Sequence, residues 1–183
     1  MPFAIELYLD ARTEALLRGV WQALADAGVS RSMLGEGFSP HITLGIADQL
    51  DSARLWPDLQ ELARQTCPLP VALTHIGVFP NAEGVVFFGA TPSRPLLELH
   101  ERFNLIFDRY AVQPWEYYRV GAWVPHCTVA FGLSQEGVSR AVALCMQTRL
   151  PVPAEVDGIG VAEVVPGRSA RTLFAHRLDP DGG

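Results

Sequence analysis

Apolar and polar positions along the chain fall into alternating and helical stretches in a regular order. Phe3 to Leu9 alternates as a strand does, and Asp10 then caps a helix on which Leu16, Leu17, Val20, Trp21 and Leu24 recur every three or four residues until Gly28 stops it. A loop with Gly35 and Gly37 leads into an extended stretch starting at His41. The next helical stretch is expected to break near Pro57, resume through Leu59 and Leu62, and end at Pro68 and Pro70. Val71 to Phe79 and Val85 to Ala90 predict a hairpin around Asn81 to Gly84. Leu96, Leu99, Phe103, Ile106, Phe107 and Tyr110 predict a further helix, followed by an aromatic loop from Trp115 to Trp123 and a strand from His126 to Leu133. Val138, Ala141, Val142 and Cys145 mark a last helix. Val156 to Val165 and Leu173 to Leu178 close the chain as a hairpin, and Asp179 to Gly183 reads as a frayed tail.

The two central strands share a phrase, Pro40-His41-Ile42-Thr43-Leu44 and Pro125-His126-Cys127-Thr128-Val129. Alternation puts His41 and Thr43 on one face and Ile42 and Leu44 on the other, and divides the second copy in the same way. Each copy therefore offers an imidazole beside a hydroxyl, anchored by apolar neighbours, and Cys127 turns toward the core. Face to face, the strands would line a pocket with two imidazoles, two hydroxyls, and neither carboxylate nor thiol.

The repetition extends beyond these motifs. His41 and His126 are 85 residues apart, and Pro70, Ile76, Gly77 and Val78 recur 83 residues on as Pro153, Ile159, Gly160 and Val161. Matching order and spacing predict an internal duplication, with halves of roughly 1–92 and 93–183 folded as a single bilobal domain. Two copies related by a pseudo-twofold axis would bring the two His strands together across a cleft.

Composition then narrows the chemistry. The 183 residues are 49% hydrophobic, enough for one substantial domain. An excess of 20 acidic over 14 basic residues argues against a broad polyanion-binding surface, while a nucleotide or a nucleic-acid end remains open. All 14 basic residues are Arg, which excludes a lysine nucleophile, a Schiff base and adenylated-lysine ligase chemistry in this chain. Three cysteines with no CxxC pair fit neither a zinc ribbon nor a disulfide framework, and zinc-ligand spacings are lacking. The chain is expected to be a soluble, cytoplasmic monomer with no membrane span, no metal and no cofactor.

Paired His-x-Thr-hydrophobic motifs about 80 residues apart, in a duplicated chain of this size, resemble the 2H phosphoesterase superfamily, in particular its bacterial 2′-5′ RNA ligase or cyclic phosphodiesterase-like branch. The resemblance covers nearly the whole chain. It implies an α+β fold of two pseudo-symmetric lobes, each an antiparallel sheet with helices on its outer face, and a central groove carrying both motifs. It also implies His41, Thr43, His126 and Thr128 as the catalytic set. One imidazole would act as base and the other as acid on a cyclic phosphodiester such as a 2′,3′-cyclic nucleotide or an RNA end, in hydrolysis or in ligation.

Substrate selection is assigned to the loop Trp115-Glu116-Tyr117-Tyr118-Arg119, since aromatics stack on bases and Arg forks onto phosphate. A lid packed on the second lobe is the alternative. Tyr118, Arg119, Trp123 and Phe38 are the candidate substrate contacts, although Phe38 and Trp123, each three residues before a motif His, also suit packing at the strand entrance. His75, His100 and His176 are expected to be structural or solvent-facing. Two rival functions remain: a noncatalytic RNA or nucleotide binding module, and a hydrolase of another ester such as a cyclic sugar phosphate.

Overall fold

The computed structural model describes residues 2–35, 38–79, 81–165 and 169–182. Its strands are β1 (Phe3–Leu9), β2 (His41–Leu50), β3 (Leu69–Phe79), β4 (Val85–Ala90), β5 (Ala111–Pro114), β6 (His126–Ala130), β7 (Val152–Val165) and β8 (Ser169–Arg177). Its helices are α1 (Ala11–Asp26), α2 (Ser52–Arg64), α3 (Arg94–Phe107) and α4 (Gln135–Cys145). Local chemistry sets the helix starts. Asp10, Asp51, Ser93 and Ser134 each accept a backbone N–H of the first turn, satisfying donors that have no partner inside the helix. Gly28, at φ +63°, follows α1 in the left-handed region that closes helices.

One antiparallel sheet runs in the order β5-β2-β1-β7-β3-β4-β6, with β8 added to β7. Apart from β5, which falls between α3 and β6 and sits at one edge, the pairing is palindromic. β1-α1-β2-α2-β3 and β4-α3-β6-α4-β7 are two runs of the same elements, each His strand pairing with the first strand of its run, and the long strands β3 and β7 meeting at the centre. The first half as drawn from the sequence includes β4, which hydrogen-bonds to the second His strand. The topology groups it with the second run, so that the runs part in the β3–β4 turn.

β3 pairs with β7 through Leu69 to Leu73 and then leaves it to pair with β4 through Leu73 to Phe79. The edge it leaves on β7 is taken by β8. The sheet thus opens into two wings around a cleft. Ile5, Leu7, Ile42, Leu44, Phe88, Cys127, Val129, Ile159 and Val161 are buried in one hydrophobic core with the apolar faces of the four helices.

Four expectations need correction. Asp179 to Gly182 is docked and not frayed, with the Asp179 N–H donated to the Ala63 carbonyl and Gly182 buried against Arg64 and Thr66. α2 is unbroken through Pro57, the sixth of its 13 residues, where the lost backbone bond is outweighed by the burial of Leu55, Leu59, Leu62 and Ala63. The second His strand ends at Ala130, ahead of Gly132 at φ +73°, and not at Leu133. Strand β5 stands where the pattern predicts only the approach to a loop. Its four residues, closed by Pro114, add an edge to the far end of β2 at Ala47 to Leu50.

Candidate active site

β2 begins at His41, directly after Pro40, and its first residues pair with β1 in the register Tyr8–His41, Leu7–Ile42 and Glu6–Thr43. Cross-strand partners share a face, so Glu6 and Tyr8 stand beside His41 and Thr43, while Leu7 and Ile42 enter the core. The His41 ring is fixed through Nδ1, 2.7 Å from the Ser39 carbonyl. A carbonyl only accepts, so Nδ1 carries the hydrogen and Nε2 turns to the cleft.

The second motif repeats the device. His126 Nδ1 lies 2.7 Å from the Val124 carbonyl, again two residues back, so Nδ1 carries the hydrogen here too. Here the register is Gly89–His126, Phe88–Cys127 and Phe87–Thr128. The His126 ring packs against Phe79 and Phe87 at centroid distances of 4.9 Å. Burial pushes its pKa below the ordinary histidine value, the Val124 carbonyl opposes this, and the charge of His41 lowers it further. The two imidazoles therefore share one electrostatic environment. The strands also touch behind them, where the Cys127 sulfur lies beside the backbone of His41 and burial raises its thiol pKa to about 12. That thiol is a core group, as alternation implied.

Reciprocal braces hold the two wings in place. Trp21, on α1 of the first run, donates its indole N–H to the Thr128 carbonyl of the second motif at 3.3 Å. Trp123, in the second run, donates to the Thr43 carbonyl of the first motif at 2.8 Å and stacks on His100 at 4.0 Å. His100 on α3, 2% exposed, lies with Nε2 3.2 Å from the Leu44 carbonyl and 3.0 Å from that of Tyr118, with its pKa lowered mainly by burial. Each run thus clamps the other run's motif strand.

Of the remaining candidates, Tyr118 lies beside Thr43, its hydroxyl pKa pushed to about 12 by burial and then by the charge of Glu83. Arg119 turns the other way, its guanidinium paired in a fork with Asp108 over the end of α3. Trp123 is 9% exposed and serves as the brace just described. Phe38 is half-buried and meets Phe131 edge-on at 6.4 Å. His75, read as structural, shares the cleft face: its register partner Gly89 is also that of His126, and a Cβ on Gly89 would lie 2.1 Å from His75 Nε2.

The expected inventory without a carboxylate is corrected by Glu6, which β1 places opposite Thr43 with an oxygen 3.6 Å from His41 Nε2. The signal was the alternation of β1 itself, whose polar Glu6 and Tyr8 fall on the face opposite Ile5 and Leu7. The repeated Ile-Gly-Val also gains a reason. A Cβ on Gly77 would lie 2.2 Å from the Phe87 ring, and one on Gly160 would lie 2.6 Å from Tyr8, so each glycine seats an aromatic ring on the cleft floor. Among the described residues no three His, Cys, Asp or Glu side chains gather as metal ligands, and no helix is long and apolar enough to cross a membrane.

Solved structures share this architecture across nearly the whole chain. A phosphoesterase matches with TM-score 0.59 at 18% identity, covering 96% of this chain and 97% of its own. TT0787 of Thermus thermophilus matches with TM-score 0.60 at 19% identity, covering 97% and 98%. E. coli LigT complexed with 3′-AMP matches with TM-score 0.57 at 16% identity, covering 96% of each chain. Comparison with curated protein sequences finds no match. The family model described as the 2′-5′ RNA ligase superfamily matches residues 17–167 and takes in both motifs. The chain belongs to the 2′-5′ RNA ligase superfamily, the 2H phosphoesterases.

Proposed function

We propose that the protein is a metal-independent phosphoesterase acting on a cyclic phosphodiester, a 2′,3′-cyclic nucleotide or an RNA end, by paired histidine acid and base catalysis. The observation that carries this reading is the shared tether. Both imidazoles are bound through Nδ1 to the carbonyl two residues back, which leaves Nε2 of each ring as the nitrogen able to exchange a proton, and the rings lie near enough for the charge of His41 to act on His126. One Nε2 takes a proton from water as the water oxygen bonds to phosphorus, and the other gives a proton to the ribose oxygen as the P–O bond breaks. Burial, with the charge of His41, favours the unprotonated His126 ring at neutral pH, the form that can accept a proton, which leaves donation to His41. The hydroxyls of Thr43 and Thr128 hold the non-bridging oxygens as charge grows on them. Run in reverse, with a hydroxyl in place of water, the same steps form a diester. The LigT structures with 3′-AMP, ATP and NADP+ support a nucleotide as the substrate class.

The test is turnover, in the presence of chelator, of 2′,3′-cyclic nucleotides, ADP-ribose 1″,2″-cyclic phosphate and 2′-5′-linked dinucleotides, with the product regiochemistry assigned. Hydrolysis of at least one, reduced by about 100-fold or more in His41→Ala and in His126→Ala, is the expected result. Full activity in either variant contradicts the scheme. Binding of all without turnover makes the groove a binding module.

A further inference from the structure

Glu6 is a buried carboxylate on the face of β1 that meets the first motif. The residue is 4% exposed, and its one ion-pair partner among the described residues is His41, 3.6 Å away at Nε2. Its neighbour Tyr8 lies beside Glu6 and Thr172, yet the Tyr8 hydroxyl meets hydrogen-bond geometry with neither. A carboxylate held out of water is costly unless a positive charge or donors face it. The second motif has no such group, because the residue paired with Thr128 is Phe87 where the residue paired with Thr43 is Glu6.

We propose that Glu6 is a positioning residue of the first motif, a carboxylate that acts through His41 by balancing the positive charge on that ring whenever Nε2 carries the proton. The groups facing His41 are Glu6 and Tyr8 from β1 and His126 and Cys127 from β6, while Arg18 of α1 reaches the hydroxyl of Ser39. Of these only Glu6 supplies a negative charge at Nε2. Tyr8, seated on Gly160, stands beside the pair on the same face of β1. The role rests on the two-histidine reading for its use in turnover, but the interaction itself is measurable without substrate.

The test is an NMR titration of the histidine rings in the full chain and in Glu6→Gln and Glu6→Asp. In Glu6→Gln the His41 midpoint is expected to fall, because the negative charge 3.6 Å from Nε2 is removed. Glu6→Asp should fall between the two, and His126 should move less than His41. An unchanged or raised His41 midpoint in folded Glu6→Gln overturns the proposal, as does an unchanged midpoint in Glu6→Asp should the Gln variant not fold. In turnover, the limb of the kcat/KM profile that follows the donor should move with the same sign in Glu6→Gln, and a limb that stays put overturns the proposal. A wild type inactive on every diester would remove the phosphoesterase reading and leave the titration result standing.

Discussion

The two motif strands carry the same side chains on the same tether, and the walls around them differ. His41 stands beside Glu6 and Tyr8 of β1, whereas His126 stands between Phe79 of β3 and Phe87 of β4. The neighbouring strand makes the difference, since β1 and β4 occupy equivalent places in the palindromic sheet. A duplicated scaffold can thus give two copies of one motif unlike electrostatic surroundings, because the ring's environment is set across the strand pair and not by the motif itself. This one has a carboxylate on one side and apolar rings on the other.

The comparison breaks hardest on substitutions under the aromatic wall. Gly77→Ala forces a Cβ to within 2.2 Å of the buried Phe87 ring, which packs on His126. Overpacking of this kind costs about 1–3 kcal/mol, to be read in urea unfolding, and the His126 ring resonances should shift while those of His41 hold. Gly89→Ala meets first the ring of the exposed His75 side chain, which can swing aside, so it should cost less than Gly77→Ala. Equal costs for the two would show that the seats are not what fixes the wall.

A smaller effect separates the braces. Trp123→Phe leaves the Thr43 carbonyl without its 2.8 Å donor and should cost about 1–2 kcal/mol. Trp21→Phe loses the longer 3.3 Å bond to Thr128 and should cost less. Chemical denaturation of both, with kcat/KM beside it, shows whether the first motif depends more on its clamp than the second.

The smallest expected effect is on the pH dependence of stability. His126 and His100 bind protons less readily when folded, chiefly through burial. The unfolded chain then holds more protons in the window from the unfolded histidine value of about 6.5 down to the lower folded values, and stability falls as pH drops through it. Urea midpoints should therefore decline from about pH 8 to about pH 5.5 in the wild type and decline less in His100→Gln. An equal decline in both would remove His100 as a contributor.

Much of this was legible in the chain. The strands and helices followed from periodicity and caps, and the shared Pro-His-x-Thr phrase with its offset of 85 pointed to two equivalent strands. Local pattern could not show which elements pair across the molecule. β4 follows β3 through a tight turn and so looks like the end of the first half, while its hydrogen bonds go to β6. Glu6 was hidden for the same reason: its approach to His41 depends on the β1–β2 register, including an irregularity between Ile5 and Glu6 that spacing along the chain does not reveal. Arg119 was chosen by its chemistry, and Asp108, eleven residues earlier, holds it elsewhere.

The most direct test of two rings acting on one phosphorus is kcat/KM on a 2′,3′-cyclic nucleotide for His41→Ala, His126→Ala and the double variant. Groups that work as a unit lose their effect together, so each single variant should fall by about 100-fold or more and the double should fall little below the worse single. Losses that multiply in the double variant, or a single variant that keeps wild-type turnover, would contradict a shared site.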